Sequence, residues 1–224
     1  MVARVYDHAI EVDLLDEVIV ATDDSRIEQA CADLDIATMM TSSDHGTGTD
    51  RLAEVAERIP ADLYVNIQGD EPMIEPDTIA AAIRPFVDNT DPGFTVTNLM
   101  TAIRRVSDLI DSTVPKVVVN DNSDAVFLSR SPIPYPKDGQ DLTFFKQICV
   151  YAFRPDALAR FRELAQGPSE RAEGIELLRF LEHGIAVRMV TVAQDTVAVD
   201  TPSDLQTVCR LLSGEVSDTE QRNR

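Results

Sequence analysis

Two aspartates far apart in the chain could together bind a hard cation. Asp70 lies in residues 66–72, NIQGDEP, directly after a stretch typical of a buried strand, and Asp200 lies in residues 199–202, VDTP. Ligands of α/β folds bind at the carboxyl ends of the strands, and Mg²⁺ prefers a few carboxylates together with phosphate oxygens. We therefore predict that Asp70 and Asp200 are metal ligands and catalytic residues, because a cation between them could join a phosphate group to an attacking hydroxyl.

Both aspartates also have a purely structural interpretation. The sequence Gly-Asp-Glu-Pro at residues 69–72 is typical of a turn. Thr201, followed by Pro202 and then by Asp204, is typical of a helix cap, and Asp200 would then only precede that cap. The residue types alone leave both alternatives open.

A second candidate segment is residues 44–51, DHGTGTDR, which precede a stretch with helical periodicity. The glycines leave backbone N–H groups accessible, and Arg51 offers a planar guanidinium to a phosphate or a base. Gly48, Thr49 and Arg51 are therefore candidate nucleotide-binding residues. The alternative is a flexible loop that ends in a helix N-cap.

Further polar residues could bind a substrate. Glu173 and Glu176 lie three residues apart with Arg179 one turn further on, so a helix would place all three on one face. Carboxylates there could accept hydrogen bonds from sugar hydroxyls, whereas a solvated face with salt bridges is the alternative. Tyr151 and Arg130 are predicted to lie at strand ends, where Arg130 could bind a substrate carboxylate through two nitrogens.

The elements that must position these residues alternate between strand and helix, which predicts a doubly wound α/β fold with a mostly parallel sheet. Residues 117–130 interrupt that alternation as an inserted β-hairpin. We predict one domain over residues 1–212 and a polar, disordered tail over residues 213–224. The predicted strands are 17–22, 37–41, 63–68, 94–100, 116–120, 125–129, 146–153 and 186–192. The predicted helices are 4–11, 25–34, 49–59, 76–87, 155–164, 169–183 and 202–212.

The composition is that of an acidic globular protein of 224 residues. Lys and Arg number 20 against 39 Asp and Glu, and the net charge of −19 argues against nucleic acid, whose binding depends on neutralising phosphates. A nucleotide can still bind if a divalent cation lies between carboxylates and phosphates. Cys31, Cys149 and Cys209 have no paired spacing, and neither a leader nor a membrane span is evident. We therefore expect reduced thiols, no membrane partner and a cytoplasmic protein.

Taken together, these motifs resemble the 3-deoxy-manno-octulosonate cytidylyltransferase family, also called CMP-Kdo synthetases. The resemblance covers most of the chain, and the order of NIQGDEP before VDTP makes it specific. It also includes GTDRLAE at residues 48–54, SRSPIPYP at 129–136, the strand around Tyr151 and Glu-x-x-Glu-x-x-Arg at 173–179. It implies the Rossmann-type fold of the nucleotide-diphospho-sugar transferases.

The resemblance also implies an activity. CMP would pass from CTP to the anomeric hydroxyl of Kdo, an eight-carbon 3-deoxy keto acid, or of a related 3-deoxy-ulosonic acid, with release of pyrophosphate, for lipopolysaccharide or capsule synthesis. By resemblance, Asp70 and Asp200 are the Mg²⁺ ligands, and Arg51 lies in the loop that helps to hold the nucleotide. The substrate-binding set implied for the sugar acid is Gln68, Arg130, Gln147, Tyr151, Glu173 and Glu176. The resemblance further implies a homodimer to which the hairpin contributes.

Three features depart from the family pattern. No strand and no Pro-Gly-Lys triphosphate loop precede the first predicted helix, Gln147 replaces a histidine beside the sugar, and Leu177 replaces a glutamine. The last two changes alter the hydrogen-bonding groups offered to a polyhydroxylated acid, so an amino-substituted or longer-chain relative of Kdo is a candidate acceptor. The first change leaves two alternatives: a non-catalytic homologue that binds or oligomerises, and translation that begins upstream of Met1.

Overall fold

The structure is a computed structural model, and it describes residues 1–88, 93–137 and 142–213. Helices and strands alternate along much of this length. The strands are β1 (Val20–Thr22), β2 (Thr38–Met40), β3 (Tyr64–Ile67), β4 (Val96–Ala102), β5 (Lys116–Val119), β6 (Ala125–Ser129), β7 (Phe145–Phe153) and β8 (Arg188–Thr191). The helices are α1 (Val2–Ala9), α2 (Ser25–Ala32), α3 (Gly48–Arg58), α4 (Pro76–Val87), α5 (Val106–Ile110), α6 (Pro155–Glu163), α7 (Pro168–Glu173), α8 (Leu178–Glu182) and α9 (Pro202–Ser213).

Strand β7 lies at the centre of the main, six-stranded sheet. It pairs antiparallel with β3, β4 and β5, while β8 pairs with β4 in parallel and β6 pairs antiparallel with β5. β1 and β2 form a separate two-stranded parallel sheet. The predicted α/β class and the inserted hairpin, β5 with β6, are confirmed. The sheet is mixed rather than mostly parallel, because β7 runs against all three of its partners.

Side chains of β7 alternate between two hydrophobic cores on opposite faces of the sheet, as the two-residue repeat of a strand requires. Tyr151 and Phe153 pack into the core with α6 and α8, and Val150 and Ala152 pack into the core with α1 and α4. Helices therefore cover both faces, which is the arrangement expected of a doubly wound fold.

The predicted helix over residues 169–183 is divided into two. Gly174 ends α7 in the left-handed conformation with φ of +62°, which glycine adopts without the penalty of a side chain. Helix α8 begins only at Leu178. The prediction that Glu173, Glu176 and Arg179 share one helical face was therefore wrong.

Other differences from the sequence-based boundaries are smaller. The five-residue helix α5 was not predicted, because one turn and a half is too short to display an apolar periodicity. Helix α9 extends to Ser213, and the rest of the predicted disordered tail, residues 214–224, lies outside the described residues. Within the described part of the chain, no helix has the length and apolar character needed to cross a bilayer.

Candidate active site

A cavity of about 990 Å³ lies beside the segment that follows β3. This volume is at the upper end of what small-molecule sites occupy. Its lining includes eight of the residues singled out from the sequence, Gly48, Gln68, Asp70, Arg130, Gln147, Tyr151, Glu176 and Asp200. The sequence therefore identified residues from six separate segments that the fold brings to one cavity.

Asp70 and Asp200 both line this cavity. A backbone hydrogen bond links their segments, and the charges of their carboxylates interact. The amide of Val199 donates a hydrogen bond of 2.9 Å to the backbone carbonyl of Asp70, which joins the two aspartate-bearing segments. Burial raises the pKa of the Asp70 carboxyl, and the nearby negative charge of Asp200 raises it further. A cation placed between the two carboxylates would relieve both effects.

The hydrogen bonds of the second segment confirm its helix-cap interpretation. The Asp204 carboxylate accepts hydrogen bonds from the amides of Thr201 and Asp200, and the Asp204 amide donates to the Thr201 hydroxyl. This reciprocal bonding fixes the start of α9. Asp200 thus stands immediately before a rigid cap, and capping and a role in the cavity are compatible.

Buried polar atoms without hydrogen-bond partners mark the cavity. They belong to Asp70, Glu71 and Glu176, which line the cavity, and to Thr49 and Asn66, which lie next to the lining residue Gly48. Such atoms are rare in folded proteins, because a buried polar group without a partner costs free energy. Their concentration at one site indicates that a polar ligand completes their bonding.

Asp70 fits a divalent metal ion, since its Oδ1 atom is one of these partnerless buried oxygens. Among residues 1–88, 93–137 and 142–213, no group of three or more His, Cys, Asp or Glu side chains is arranged to hold a metal. The candidate site is therefore a pair of carboxylates. Such a pair matches Mg²⁺, which commonly takes one or two protein carboxylates and completes its shell with water and substrate phosphate.

The N-terminus of α3 is bound by a carboxylate of the protein itself. The Thr49 amide donates a hydrogen bond of 2.9 Å to Glu176 Oε2, while Thr47 caps the helix through the Asp50 amide. A Cβ on Gly48 would lie 3.4 Å from the side-chain nitrogen of Asn66, so glycine lets these segments approach closely. The second oxygen of Glu176 has no partner, and burial raises the pKa of this carboxyl. Thr49 thus acts on the cavity by orienting Glu176.

Arg51 is directed away from the cavity lining. Its guanidinium pairs with Asp23 at 3.0 Å and donates to the Thr41 hydroxyl at 2.5 Å and to the Ser42 carbonyl. These contacts connect α3 to the residues that follow β1 and β2. In this structure Arg51 holds elements together, and it is not among the residues that face the cavity.

Glu173 also lies outside the cavity lining, because the break at Gly174 turns it toward β6. Its carboxylate accepts hydrogen bonds from the Ser129 hydroxyl at 2.6 Å and from the Arg130 amide at 2.8 Å. Arg130 reaches back to the Glu173 carbonyl and to the Ser112 carbonyl. This exchange holds Arg130, which does line the cavity, at its rim.

A β-bulge in β7 orients the polar side chains of the cavity floor. The register against β4 shifts after Asn98, and the Asn98 side-chain nitrogen donates to the Ile148 and Val150 carbonyls. Asn98 Oδ1 therefore accepts from Gln147 at 3.0 Å, which fixes the Gln147 amide with its nitrogen toward Asn98. Tyr151 lies 3.5 Å from that nitrogen, and burial raises the pKa of its phenol. Bulges commonly re-aim side chains at active sites.

Several charged residues of the cavity lining were not identified from the sequence, among them Lys146 and Glu71. Lys146, on β7, ion-pairs with Asp195 and approaches the Thr196 carbonyl at 3.5 Å, so it holds the segment before Asp200. Glu71 is buried, and burial raises its pKa. Glu71 stands beside Asp70 in NIQGDEP and could have been found there, whereas Lys146 lies on β7 outside every motif that the sequence analysis used.

The chain is similar in sequence to known cytidylyltransferases. A sequence model described as cytidylyltransferase matches residues 1–190. The chain is 41% identical to the 3-deoxy-manno-octulosonate cytidylyltransferase of Escherichia coli over 218 residues, which are 97% of this chain and 87% of that protein. It is 42% identical to the enzyme of the same name from Geobacter metallireducens, over 95% of this chain and 87% of that protein.

Solved structures agree with these relatives. A CMP:2-keto-3-deoxy-manno-octonic acid synthetase complexed with CTP superposes with a TM-score of 0.88 at 40% identity, covering 96% of this chain and 88% of that chain. A 4-diphosphocytidyl-2C-methyl-D-erythritol synthase from Anaerococcus prevotii superposes with a TM-score of 0.62 at 13% identity, covering 95% and 89%, and it supports the fold alone.

Proposed function

Because this chain belongs to the cytidylyltransferase family, together with the 3-deoxy-manno-octulosonate cytidylyltransferases, we propose that it transfers CMP from CTP to Kdo or a related 3-deoxy-ulosonic acid. The anomeric hydroxyl of the acid attacks the α-phosphorus of CTP, and pyrophosphate leaves. One observation carries this proposal: Asp70 and Asp200 line one cavity, where buried polar atoms lack protein partners.

Asp70 and Asp200 would hold Mg²⁺, which when bound supplies positive charge to the phosphate oxygens. The hydrogen bond from the Val199 amide to the Asp70 carbonyl joins the two aspartate-bearing segments, so the backbone holds the two carboxylates at one place in the cavity. In-line displacement at phosphorus needs no covalent bond to the protein. Positioning and charge neutralisation therefore provide the catalysis.

Glu176, Gln147, Tyr151 and Arg130 are proposed to bind the sugar acid. The unpartnered oxygen of Glu176 is a hydrogen-bond acceptor, and the Gln147 amide, with its nitrogen held by Asn98, leaves its oxygen as an acceptor. Hydroxyl or amino groups of the acceptor would satisfy both oxygens. Arg130, at the rim, is the candidate partner for the carboxylate, and Gln68 lines the same cavity.

The activity is tested by mass spectrometry of a reaction with CTP, Kdo and Mg²⁺. We expect a CMP-sugar to form in step with pyrophosphate, and we expect almost none with Asp70→Asn. Absence of product with Kdo and with amino-substituted and longer-chain 3-deoxy-ulosonic acids would contradict the proposal.

Calorimetry separates this function from that of a non-catalytic binding homologue. We expect CTP with Mg²⁺ to bind more tightly than CMP, because the β- and γ-phosphates add ligands for the cation. Equal affinities would favour the non-catalytic alternative.

The assembly and the compartment are also proposals. The edge strand β6 exposes Val126 and Phe127, and exposed apolar edges commonly pair with another chain. We propose a homodimer that covers this edge, to be tested by sedimentation of wild type against Phe127→Asp. Three free cysteines are compatible with the reducing cytoplasm as the site of the reaction.

A further inference from the structure

We infer that Arg4 and His8, on α1, are positioning residues for Asp70. Arg4 Nε donates a hydrogen bond of 3.0 Å to the Pro72 carbonyl, and His8 Nδ1 donates to the Ile74 carbonyl. The two residues are four apart and thus share a face of the helix. This inference rests on the proposed function, because it assigns Asp70 to the metal-binding pair.

The segment from Gln68 to Glu75 depends on contacts from outside itself. It joins β3 to α4 without forming a helix or a strand, and its own backbone bonds are those from Glu71 to Gln68 at 3.3 Å and from Ile74 to Glu71 at 3.0 Å. The carbonyls two and four residues after Asp70 are both bound by α1. Helix α1 therefore provides two of the contacts that fix the backbone next to Asp70.

A displacement of this segment would reach the second aspartate as well. The Asp70 carbonyl accepts from the Val199 amide at 2.9 Å, and Asp200 is the next residue. A shift of about 1 Å in a catalytic group is enough to reduce turnover strongly. Arg4 and His8 thus influence both carboxylates, although neither residue lines the cavity.

Helix α1 has an anchor that does not require these two side chains. Val5 and Ala9 of α1, and Val12 shortly after its end, are buried in the core cluster that also contains Ile74 and Ile79. Arg4 is exposed and His8 only half-buried. Replacing them should therefore leave the helix docked while the segment around Asp70 loses its tether.

The experiment compares the double variant Arg4→Met/His8→Leu with His8→Asn and with Asp7→Asn. Asn carries an amide nitrogen near the position of His Nδ1, so it can still donate to the Ile74 carbonyl, and Asp7 is an exposed residue of the same helix. For the double variant we expect the Mg²⁺ concentration at half-maximal rate to rise about tenfold and kcat to fall, on the loss of two hydrogen bonds. We expect His8→Asn and Asp7→Asn to stay within about twofold of wild type.

Hydrogen exchange of the full chain gives a second readout that needs no metal and no turnover. The double variant should speed exchange of the amides of residues 69–75 about tenfold and leave those of α4 unchanged. Unchanged exchange would overturn the inference. Faster exchange with an unchanged Mg²⁺ dependence would also overturn it, because the two residues would then be structural only. If wild type forms no CMP-sugar, the proposed function fails, and the exchange result still decides whether α1 holds the segment.

Discussion

The cavity and the neighbouring ion-pair cluster both bury charged groups, but only the cluster satisfies them. We call the second region the Arg179 cluster; it comprises Arg179, Glu170 and Asp50. Arg179 and Glu170 are only 4% and 3% exposed. Arg179 donates to both Glu170 oxygens at 2.7 and 2.9 Å and to Asp50 at 3.0 Å, and its guanidinium lies 3.8 Å above the centre of the Phe161 ring.

The cavity, whose lining also includes Glu170, contains other buried groups without such partners. Asp70, Glu71 and Glu176 each keep a buried oxygen that has no hydrogen-bond partner, and burial raises the pKa of all three. The Arg179 cluster shows that this fold can pair buried charges with one another, so the unpartnered oxygens of the cavity call for a separate explanation. The difference therefore indicates that the Arg179 cluster stabilises the fold, whereas the cavity groups provide hydrogen-bonding sites for a ligand.

The largest expected effect is on stability at the Arg179 cluster. Arg179→Met leaves Glu170 buried without its main partner, and breaking a buried ion pair in this way costs about 3–5 kcal/mol of unfolding free energy. Denaturant titration followed by circular dichroism measures the change.

Arg162→Met is the matched control for this variant. Arg162 pairs with Glu57 at the surface, where it is 44% exposed, and such a pair contributes less than about 1 kcal/mol. Equal losses in the two variants would show that the Arg179 cluster is not the stabilising region of the comparison.

The next effect should appear in turnover rather than in folding. Asp70→Asn and Asp200→Asn each remove a carboxylate of the candidate metal pair, and we expect kcat to fall by about 100-fold to 1,000-fold, as for other charge-stabilising groups. The melting temperature should stay nearly constant, because Asp70 already lacks a partner for one oxygen. Steady-state assays and thermal unfolding of the same preparations measure both quantities.

Asp156→Asn, an exposed change on α6, serves as the control for those two variants. Wild-type turnover in either Asp70→Asn or Asp200→Asn would remove that aspartate from the site. A large drop in the melting temperature of either variant would show that the replaced aspartate stabilises the fold, as the residues of the Arg179 cluster do.

The convergence of Asp70 and Asp200 could be predicted from the sequence in part because α/β folds generally bind ligands at the carboxyl ends of their strands. Asp70 follows β3 closely, and polar residues at strand ends gather at one edge of an α/β sheet, whereas Asp200 lies nine residues after the end of β8 and was assigned to the site mainly by resemblance. The direction of β7 was not predictable in the same way. Its run of apolar residues is equally compatible with a buried parallel or antiparallel strand, because hydrophobic periodicity carries no information on direction.

Glu173 and Arg51 show a second limit of the sequence. Helical spacing put Glu173 on the face of Glu176, but Gly174 takes a left-handed conformation and rotates the two apart. Arg51 stands in a glycine-rich segment typical of phosphate binding, yet it finds Asp23 and Thr41, which lie 28 and 10 residues before it. Tertiary partners of this kind are not encoded in local spacing.

The smallest effect in the comparison concerns Glu176 and is the most specific. Glu176→Gln removes a buried charge, so we expect the unfolding free energy to rise by about 1 kcal/mol at pH 8 while turnover falls. The sign of this change follows from the linkage between protonation and folding. A carboxyl whose pKa is raised on folding destabilises the folded state least when it is protonated. Wild type is thus relatively most stable below the unfolded pKa of about 4.3, and it loses that stability as the pH rises through the folded value. The advantage of the variant should vanish below pH 4.

Glu173→Gln is the matched control, because the same substitution there should have the opposite sign. Burial acts to raise the pKa of Glu173, but the hydrogen bonds from Ser129 and Arg130 lower it on balance. Its carboxylate therefore stabilises the fold above its unfolded pKa, and this contribution is lost as the pH falls through the lowered folded value. Unfolding curves of both variants at pH 8 and pH 4 separate the two cases. If Glu176→Gln were destabilising at pH 8, as Glu173→Gln is expected to be, Glu176 would belong with the paired charges, and its free oxygen would not mark a binding site.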